Sequence, residues 1–424
     1  MSQRIQAIRG MNDVLPTESP LWQYLHRTAA EVFAAYGYAE LRLPIVERTD
    51  LFKRAVGEVT DIVEKEMYSF EDRGGEQLSL RPELTAGIIR AGVEHGLLYN
   101  QQQRVWSTGA VFRYERPQAG RYRQFHQLDV EAFGLPGPDI DVEVIAIAAR
   151  LWKRLGVSGF TLQLNSLGTP QSRSAYRAAL IDYLRRHEAA LDEDSKRRLD
   201  SNPLRVLDSK VPATRAIVAD APSILDHLDA ESAAHFAAVQ QGLSDLGIAH
   251  LVNPRLVRGL DYYTRTVFEW TTDQLGAQDT VCAGGRYDGL VEQLGGAPTP
   301  GIGFGLGIER LILLLQKQGL AVPDGAPQVY FCAFGESAER LASRLAEQLR
   351  DALPKLRLML NAGGGKPAAQ LKRADRSGAS LALILGDDEL ERRVIQVKSL
   401  RDSAAPAQCG WEECAALLAG RLGI

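Results

Sequence analysis

A chain that puts charge where a strand usually puts core has few ways to fold, and residues Arg104 to Gly134 do so twice. They read RVWSTGAVFRYERPQAGRYRQFHQLDVEAFG, two strand-like runs around a short basic loop. Residues two apart in a strand share a face. The first run therefore sets Arg113 and Glu115 opposite Phe112 and Tyr114, and the second gathers Phe125, Gln127, Asp129 and Glu131 on one side. The other side of the second run, His126, Leu128, Val130 and Ala132, is mostly core-like. A face carrying an amide, carboxylates and one aromatic ring is costly to bury unless it lines a polar cavity. Between the runs, Arg116, Arg121 and Arg123 surround Gly120 in a loop offering three guanidinium groups suited to phosphate. The stretch suggests a site for phosphate plus a small polar molecule. An antiparallel hairpin with solvated salt bridges fits the same residues.

At 424 residues the chain has room for two or three domains with sizeable cores of their own. A formal net charge of -4 argues against a protein that grips nucleic acid over its whole surface, while leaving room for local basic patches. Cys282, Cys332, Cys409 and Cys414 form no CxxC pair and have no matching histidine spacing, so buried thiols in a reducing compartment are expected, and no metal site. The opening MSQRIQAIRGMNDVLP has no apolar targeting core, and the longest aliphatic runs, such as Leu311 to Leu315, are too short to span a bilayer. A cytoplasmic enzyme with no membrane contact is the expectation.

Apolar spacing predicts a helix from Leu21 to Tyr36, stopped at Gly37, followed by a strand-like YAELRLPIVERTDLF kinked at Pro44. A helix from about Asp141 to Leu155 and the strand TLQLNSLG come next, and then an Ala-, Leu-, Asp- and Arg-rich region at about 170–250 that reads as an inserted helical module. Strand signals return at Tyr262 to Thr271, and an apolar helix at Glu309 to Gln316. After it the glycines and prolines of Gln318 to Pro327 mark a linker. Beyond lies an alternation of strands (VYFCAF, LRLML, SLALILG, RVIQVKSL) and two helices, a small α/β domain. The division is thus 1–320, a linker at 321–327, and 328–424.

Four further segments carry chemistry. In LRPELTAGIIRAG, Glu83 and Thr85 precede a helix starting near Ala86, where they face a cavity or form a capping box. In RLVRGLDYYTRTVFEW, Arg258 stands in a turn before Tyr262 and Tyr263, either as a free cation or paired with Asp261. CAGGRYDGL has Gly284 and Gly285, which permit close approach of a ligand or simply turn the chain, with Tyr287 between Arg286 and Asp288. In GIGFGLGIERLILLL, Gly301, Gly303, Gly305 and Gly307 leave one strand face without side chains, ahead of a helix beginning near Arg310 that favours anions. The alternating glycines fail G-x-G-x-x-G at Ile308, and Gly363 to Lys366 fails the P-loop pattern at Pro367. Phosphate binding must rely on arginines.

Taken together these residues resemble a known family. The hairpin with Phe112, Arg113, Glu115 and Phe125 and the run GIGFGLGIER ending in Arg310 look like motifs two and three of class II aminoacyl-tRNA synthetases. RGLDYY and CAGGRYDGL look like the two signatures of the histidine-tRNA ligases within that class. The resemblance runs from RGMNDVLP at Arg9 to Pro16, through motif one around Tyr36 to Glu47, to the last domain. Leu84 departs from the small residue often found between the matching Glu and Thr, and Pro367-Ala368-Ala369 stands where lysines are common, which leaves the tRNA contacts there open.

The resemblance implies an α+β class II synthetase catalytic domain, an antiparallel sheet with helices and an inserted helical module, followed by a C-terminal α/β anticodon-binding domain. It implies ATP-dependent attachment of histidine to tRNA(His) through a histidyl-adenylate, with Mg2+ on the phosphates and a homodimer built through motif one. By motif match, Arg113 and Arg258 flank the α-phosphate, Arg121 and Arg310 hold the outer phosphates, Glu115 takes the adenine amine and Phe125 stacks on its ring. Glu83, Thr85 and Gln127 match the residues on the histidine amine, and Glu131, Tyr263 and Tyr287 those around its imidazole. Arg116, Gln118 and Arg123 match the loop that meets the acceptor end of the tRNA. No editing domain is visible. A catalytically inert paralogue, the regulatory subunit of ATP phosphoribosyltransferase, is the rival reading; it commonly lacks both signatures and has no anticodon domain.

Overall fold

The computed structural model describes residues 4–57, 60, 62–258, 262–276, 279–320 and 325–424. Asp261, the alternative partner weighed for Arg258, and most of the linker lie outside the described residues. Two compact units, Met1–Val322 and Pro323–Ile424, make up the chain.

The strands of the first unit, in chain order, are β1 (Ala39–Glu40), β2 (Val46–Arg48), β3 (Tyr68–Glu71), β4 (Gln77–Leu80), β5 (Gln103–Phe112), β6 (Gln124–Phe133), β7 (Thr161–Ser166), β8 (Leu251–Val252), β9 (Thr264–Thr271), β10 (Thr280–Arg286) and β11 (Gly301–Gly307). Its helices are α1 (Ser19–Ala35), α2 (Thr49–Val56), α3 (Thr85–Glu94), α4 (Pro138–Leu155), α5 (Pro170–Arg186), α6 (Glu193–Ser201), α7 (Pro212–Ala219), α8 (Ala230–Asp245), α9 (Leu290–Gln293) and α10 (Ile308–Lys317). Eight strands form one sheet in the order β1-β5-β6-β11-β10-β9-β7-β8. Its six central strands are antiparallel, and a parallel pair closes each edge.

Alternation along β6 decides which layer each face meets. Leu128, Val130 and Ala132 join Ile302, Phe304 and Leu306 of β11 in a core covered by α1, α4, α8 and α10. The opposite face carries the polar residues. Helix α4 is the spine of the covered side. It begins with Pro138 after Gly137, has Asp139 and Asp141 in its first turn and Lys153 and Arg154 in its last, and ends at Gly156 with φ +74°. Each of these choices suits its end of the helix.

Three local expectations change. TDLF begins α2 instead of prolonging a strand: β2 stops at Arg48, and Phe52, Ala55 and Val56 recur at helical spacing and are buried. Arg113 and Glu115 lie just past the end of β5 at Phe112, so the loop, not strand pleating, aims them. The strand expected from Tyr262 starts at Thr264.

The second unit is a five-stranded sheet, β12 (Val329–Ala333), β13 (Leu358–Leu360), β14 (Leu381–Leu385), β15 (Val394–Ser399) and β16 (Ala407–Gly410), in the order β13-β12-β14-β15-β16. Helices α11 (Glu336–Ala352), α12 (Pro367–Arg376), α13 (Asp387–Glu391) and α14 (Cys414–Leu422) accompany it. The elements β16, α13 and α14 are short and were not anticipated from the sequence. The first two of them are four and five residues long, too short to show a period. All four cysteines are free and buried.

Candidate active site

The register of the large sheet places the site. Gly303, Gly305 and Gly307 of β11 pair directly with Glu131, Asp129 and Gln127 of β6, and on their other side Gly303 and Gly305 pair with Gly285 and Ala283 of β10. One further strand on, Ala283 pairs with Glu269 of β9. A row therefore crosses the sheet as Asp129, Gly305, Ala283, Glu269, with acids at its ends and small residues between. Three strand spacings make that floor ~14 Å wide. None of these three β11 glycines has a positive φ, so the need for glycine is space rather than backbone freedom. A Cβ on Gly303 would run into the Glu131 carboxylate, and one on Gly305 would stand 3.0 Å from Asp129 Oδ1 and 3.3 Å from Gln127 Nε2.

A cleft opens over this floor. Glu83, Thr85, Arg113, Glu115, Arg121, Phe125, Gln127, Asp129, Arg258, Tyr263, Glu309 and Arg310 all line it. Of the residues singled out in the sequence, Glu131 and Tyr287 stand just behind the lining, buried at 1% exposure each. Arg116 and Gln118 are exposed in the loop between β5 and β6. Arg123 turns back from that loop, its guanidinium 4.0 Å over the Tyr114 ring and donating to the Glu115 carbonyl.

One end of the cleft is a buried acid cluster. Thr85 donates to Glu131 Oε1 at 2.7 Å, Tyr287 bonds the other oxygen, and the amide of Ala86 donates to Glu83 Oε1 at 2.9 Å. Glu83 thus caps the start of α3 and lines the cavity at once. Burial raises the Glu83 carboxyl, and it pushes Glu131 up to about 8 despite the hydrogen bonds from Tyr287 and Thr85. Asp129 is raised well above the ordinary carboxylate range, first by burial and then by Glu131 and Glu83. Tyr262, Tyr263 and Tyr287 pack tilted and edge to face in an aromatic wall, with centroids 4.6 to 6.5 Å apart. Tyr287 is aimed from behind. Its neighbour Arg286, fully buried, donates to Asp141 and to the carbonyls of Leu135 and Gly137, while His235 Nε2 lies 2.7 Å from Asp141.

The other end is cationic. Arg310 donates to the carbonyls of Gly120 and Thr280, and burial lowers its pKa, with Arg113 and Arg121 adding repulsion against the pull of Glu115. Arg113 donates to the Pro82 carbonyl, with its guanidinium carbon 5.4 Å from the Phe125 ring centroid. Arg121 is ion-paired with Glu115, and Arg258 with Glu269, whose second oxygen accepts from Thr280. Half-buried cations gathered in one cleft suit a multiply charged anion. Gln127 Oε1, Asp129 Oδ1 and Arg258 Nε are buried without a hydrogen-bond partner among the described residues. Groups left so at a cleft mark where a ligand's polar atoms belong.

Glu269, Glu309 and the Asp141–Arg286 pair are site residues beyond those expected from the motifs. An acid in the otherwise apolar VFEW is a visible signal for Glu269. Glu309 accepts from the His126 amide at 2.9 Å and faces its Nδ1, pinning α10 to β6. Asp141 and Arg286 are 145 residues apart, and neither segment alone announces the other.

Comparison with known proteins gives consistent matches. A family model described as histidyl-tRNA synthetase matches residues 10–311, and one described as anticodon binding domain matches residues 328–418. A histidine–tRNA ligase of Halorhodospira halophila (strain DSM 244 / SL1) is 57% identical over 419 residues, 99% of each chain. The crystal structure of apo S. aureus histidyl-tRNA synthetase is 34% identical, with a TM-score of 0.82 over 98% of this chain and 99% of that one. An ATP phosphoribosyltransferase regulatory subunit/histidyl-tRNA synthetase from Bacillus halodurans C is 23% identical, with a TM-score of 0.66 over 91% and 98%, a likeness of fold alone.

Proposed function

The chain belongs to the histidyl-tRNA synthetase family, and from that membership we propose that it joins histidine to tRNA(His) in two steps, through a histidyl-adenylate. The observation that carries the reading is the cleft itself: a floor of glycines facing Gln127, Asp129 and Glu131 at one end, and Arg113, Arg121, Arg258 and Arg310 around the other. In the first step the histidine carboxylate attacks the α-phosphorus of ATP, a mixed anhydride forms and pyrophosphate leaves. Negative charge grows on the phosphoryl oxygens, so cations fixed beside them stabilise the transition state more than the ground state. Arg113 and Arg258 take that part from opposite sides. In the second step a ribose hydroxyl at the tRNA 3′ end attacks the acyl carbon and releases AMP.

Arg121 and Arg310 serve the outer phosphates, Glu115 the adenine amine, and Phe125 the adenine ring. The pairing of Arg121 with Glu115 implies a trade on ATP binding, each leaving the other for its own end of the nucleotide. Mg2+ bound with the phosphates would offset their charge; such an ion needs few protein ligands, and Glu309, the carboxylate lining the cleft beside Arg310, would be the residue to hold it. Glu83, Thr85 and Gln127 receive the histidine amine. Glu131, Tyr263 and Tyr287 surround the imidazole, and an amino acid lacking ring nitrogens forgoes the hydrogen bonds they offer, at about 1 to 3 kcal/mol for each bond not made.

The proposal extends to the rest of the chain. Residues 1–320 form the catalytic part with an insertion at about 170–250, residues 321–327 link it, and residues 328–424 read the anticodon. Arg116, Gln118 and Arg123 meet the acceptor end. The exposed apolar Ile45, Val46 and Phe70 on or beside β2 and β3 suit contact with a second copy in a homodimer. Among the described residues no helix is long and apolar enough to cross a membrane, and the reactants belong to the cytoplasm.

Pyrophosphate exchange into ATP with each of the twenty amino acids, without tRNA, tests the reading. Exchange with histidine alone, reduced at least about 100-fold in Arg258→Ala, is expected. No exchange with any amino acid favours the regulatory-subunit function, and exchange with another amino acid overturns the pocket assignment.

A further inference from the structure

We propose that Asp129 is a further substrate-binding residue, completing with Glu83 and Gln127 a three-acceptor cradle for the protonated primary amine of the amino acid. The inference rests on the histidine-ligase reading above and adds to it a residue that the family motifs leave without a role. Asp129 is 2% exposed, lines the cleft, and its Oδ1 has no hydrogen-bond partner among the described residues. Gln127 Oε1, one turn of the pleat away on the same face, is in the same state. Both groups border one space, because the Cβ that Gly305 lacks would stand 3.0 Å from Asp129 Oδ1 and 3.3 Å from the Gln127 amide nitrogen. Glu83 joins them on the cavity wall, its carboxyl anchored by the amide of Ala86 and by Thr85.

The chemistry of the missing partner follows from the acceptors. Two orphaned oxygens and a carboxylate call for several N–H donors on one small cationic atom, which a primary ammonium supplies and a guanidinium or a ring nitrogen does not. Arg81 and Arg113 act on Asp129 through space only, so among the described residues none already fills this place. An unpartnered buried carboxylate is tolerable where a bound cation will neutralise it.

The test is calorimetric titration of the full-length protein with histidine and with 3-(imidazol-4-yl)propionate, which is histidine without its amine. In Asp129→Asn, histidine affinity is expected to fall about tenfold or more, as for a lost charge-assisted hydrogen bond, while affinity for the deaminated acid changes less than about twofold. Replacing a carboxylate whose Oδ1 is unpartnered by a near-isosteric amide removes no hydrogen bond made by that oxygen. Asp129→Ala gives the same selective loss should the amide variant not fold. Equal losses for both ligands, or none for either, overturn the cradle. A wild type that ignores histidine but binds another α-amino acid sinks the histidine assignment alone, and the same comparison with that acid and its deaminated form then decides the cradle. A wild type that binds no amino acid overturns both.

Discussion

Glu131 shows how far burial can move one carboxyl and what that movement costs. Its pKa of about 8 lies above the ordinary 4.5, because burial outweighs the hydrogen bonds from Tyr287 and Thr85. The folded protein therefore keeps a proton over a range in which the unfolded chain has released it. Stability contributed by this group is whole below about 4.5, declines as pH rises toward about 8, and is level beyond. The full loss is on the order of 5 kcal/mol. Glu131→Gln has no such proton to lose, so urea unfolding at pH 5, 7 and 9 should show the wild type losing ground to the variant between the first and the last. Parallel stabilities across that range would refute the account. At this scale the sequence was legible where strand period alone governs: Gln127, Asp129 and Glu131 share a face as the spacing requires. It was opaque where partners are distant, as with Arg258 and Glu269 or Arg286 and Asp141, since a guanidinium's partner is set by tertiary approach.

Among the elements, α4 tests how much of a long helix its own ends decide. Its buried residues on several faces pack against α1 and α8, so its interior is held by the core. Its C-terminus depends on Gly156, whose φ of +74° suits glycine and strains other residues. Among the described residues a Cβ there would meet only Leu320 Cδ2, at 3.9 Å, so they add no crowding. Gly156→Ala should lower stability by about 1 kcal/mol, read as a shift of the urea midpoint with unchanged slope and unchanged pyrophosphate exchange. A loss of exchange in step with stability would mean that the end of α4 is coupled to the cleft. Long elements with a clear period, such as α1, α4, β6 and β11, were readable in advance. The failures were at short elements and junctions: TDLF reads as strand until burial of Phe52, Ala55 and Val56 decides for helix, and β16 is too brief to carry a pattern.

At the scale of the molecule, the two units have separate cores. One pair of apolar clusters spans the large sheet and its helices, and another lies on the small sheet from Val329 to Leu418. Cutting after Val322 should leave a fragment that still exchanges pyrophosphate into ATP with histidine within about tenfold of the whole chain, while charging of tRNA(His) falls at least about 100-fold. Equal loss of both activities would show that the first unit needs the second in order to fold or act. The glycine floor has one more consequence, which concerns the routes open to descendants of this protein. Gly303, Gly305 and Gly307 already carry the smallest side chain that the genetic code offers, so every amino-acid replacement at these positions adds atoms to the chamber. Mutation of these glycines can narrow the range of guests but never widen it, and any drift toward a bulkier substrate must begin at other positions of the chamber.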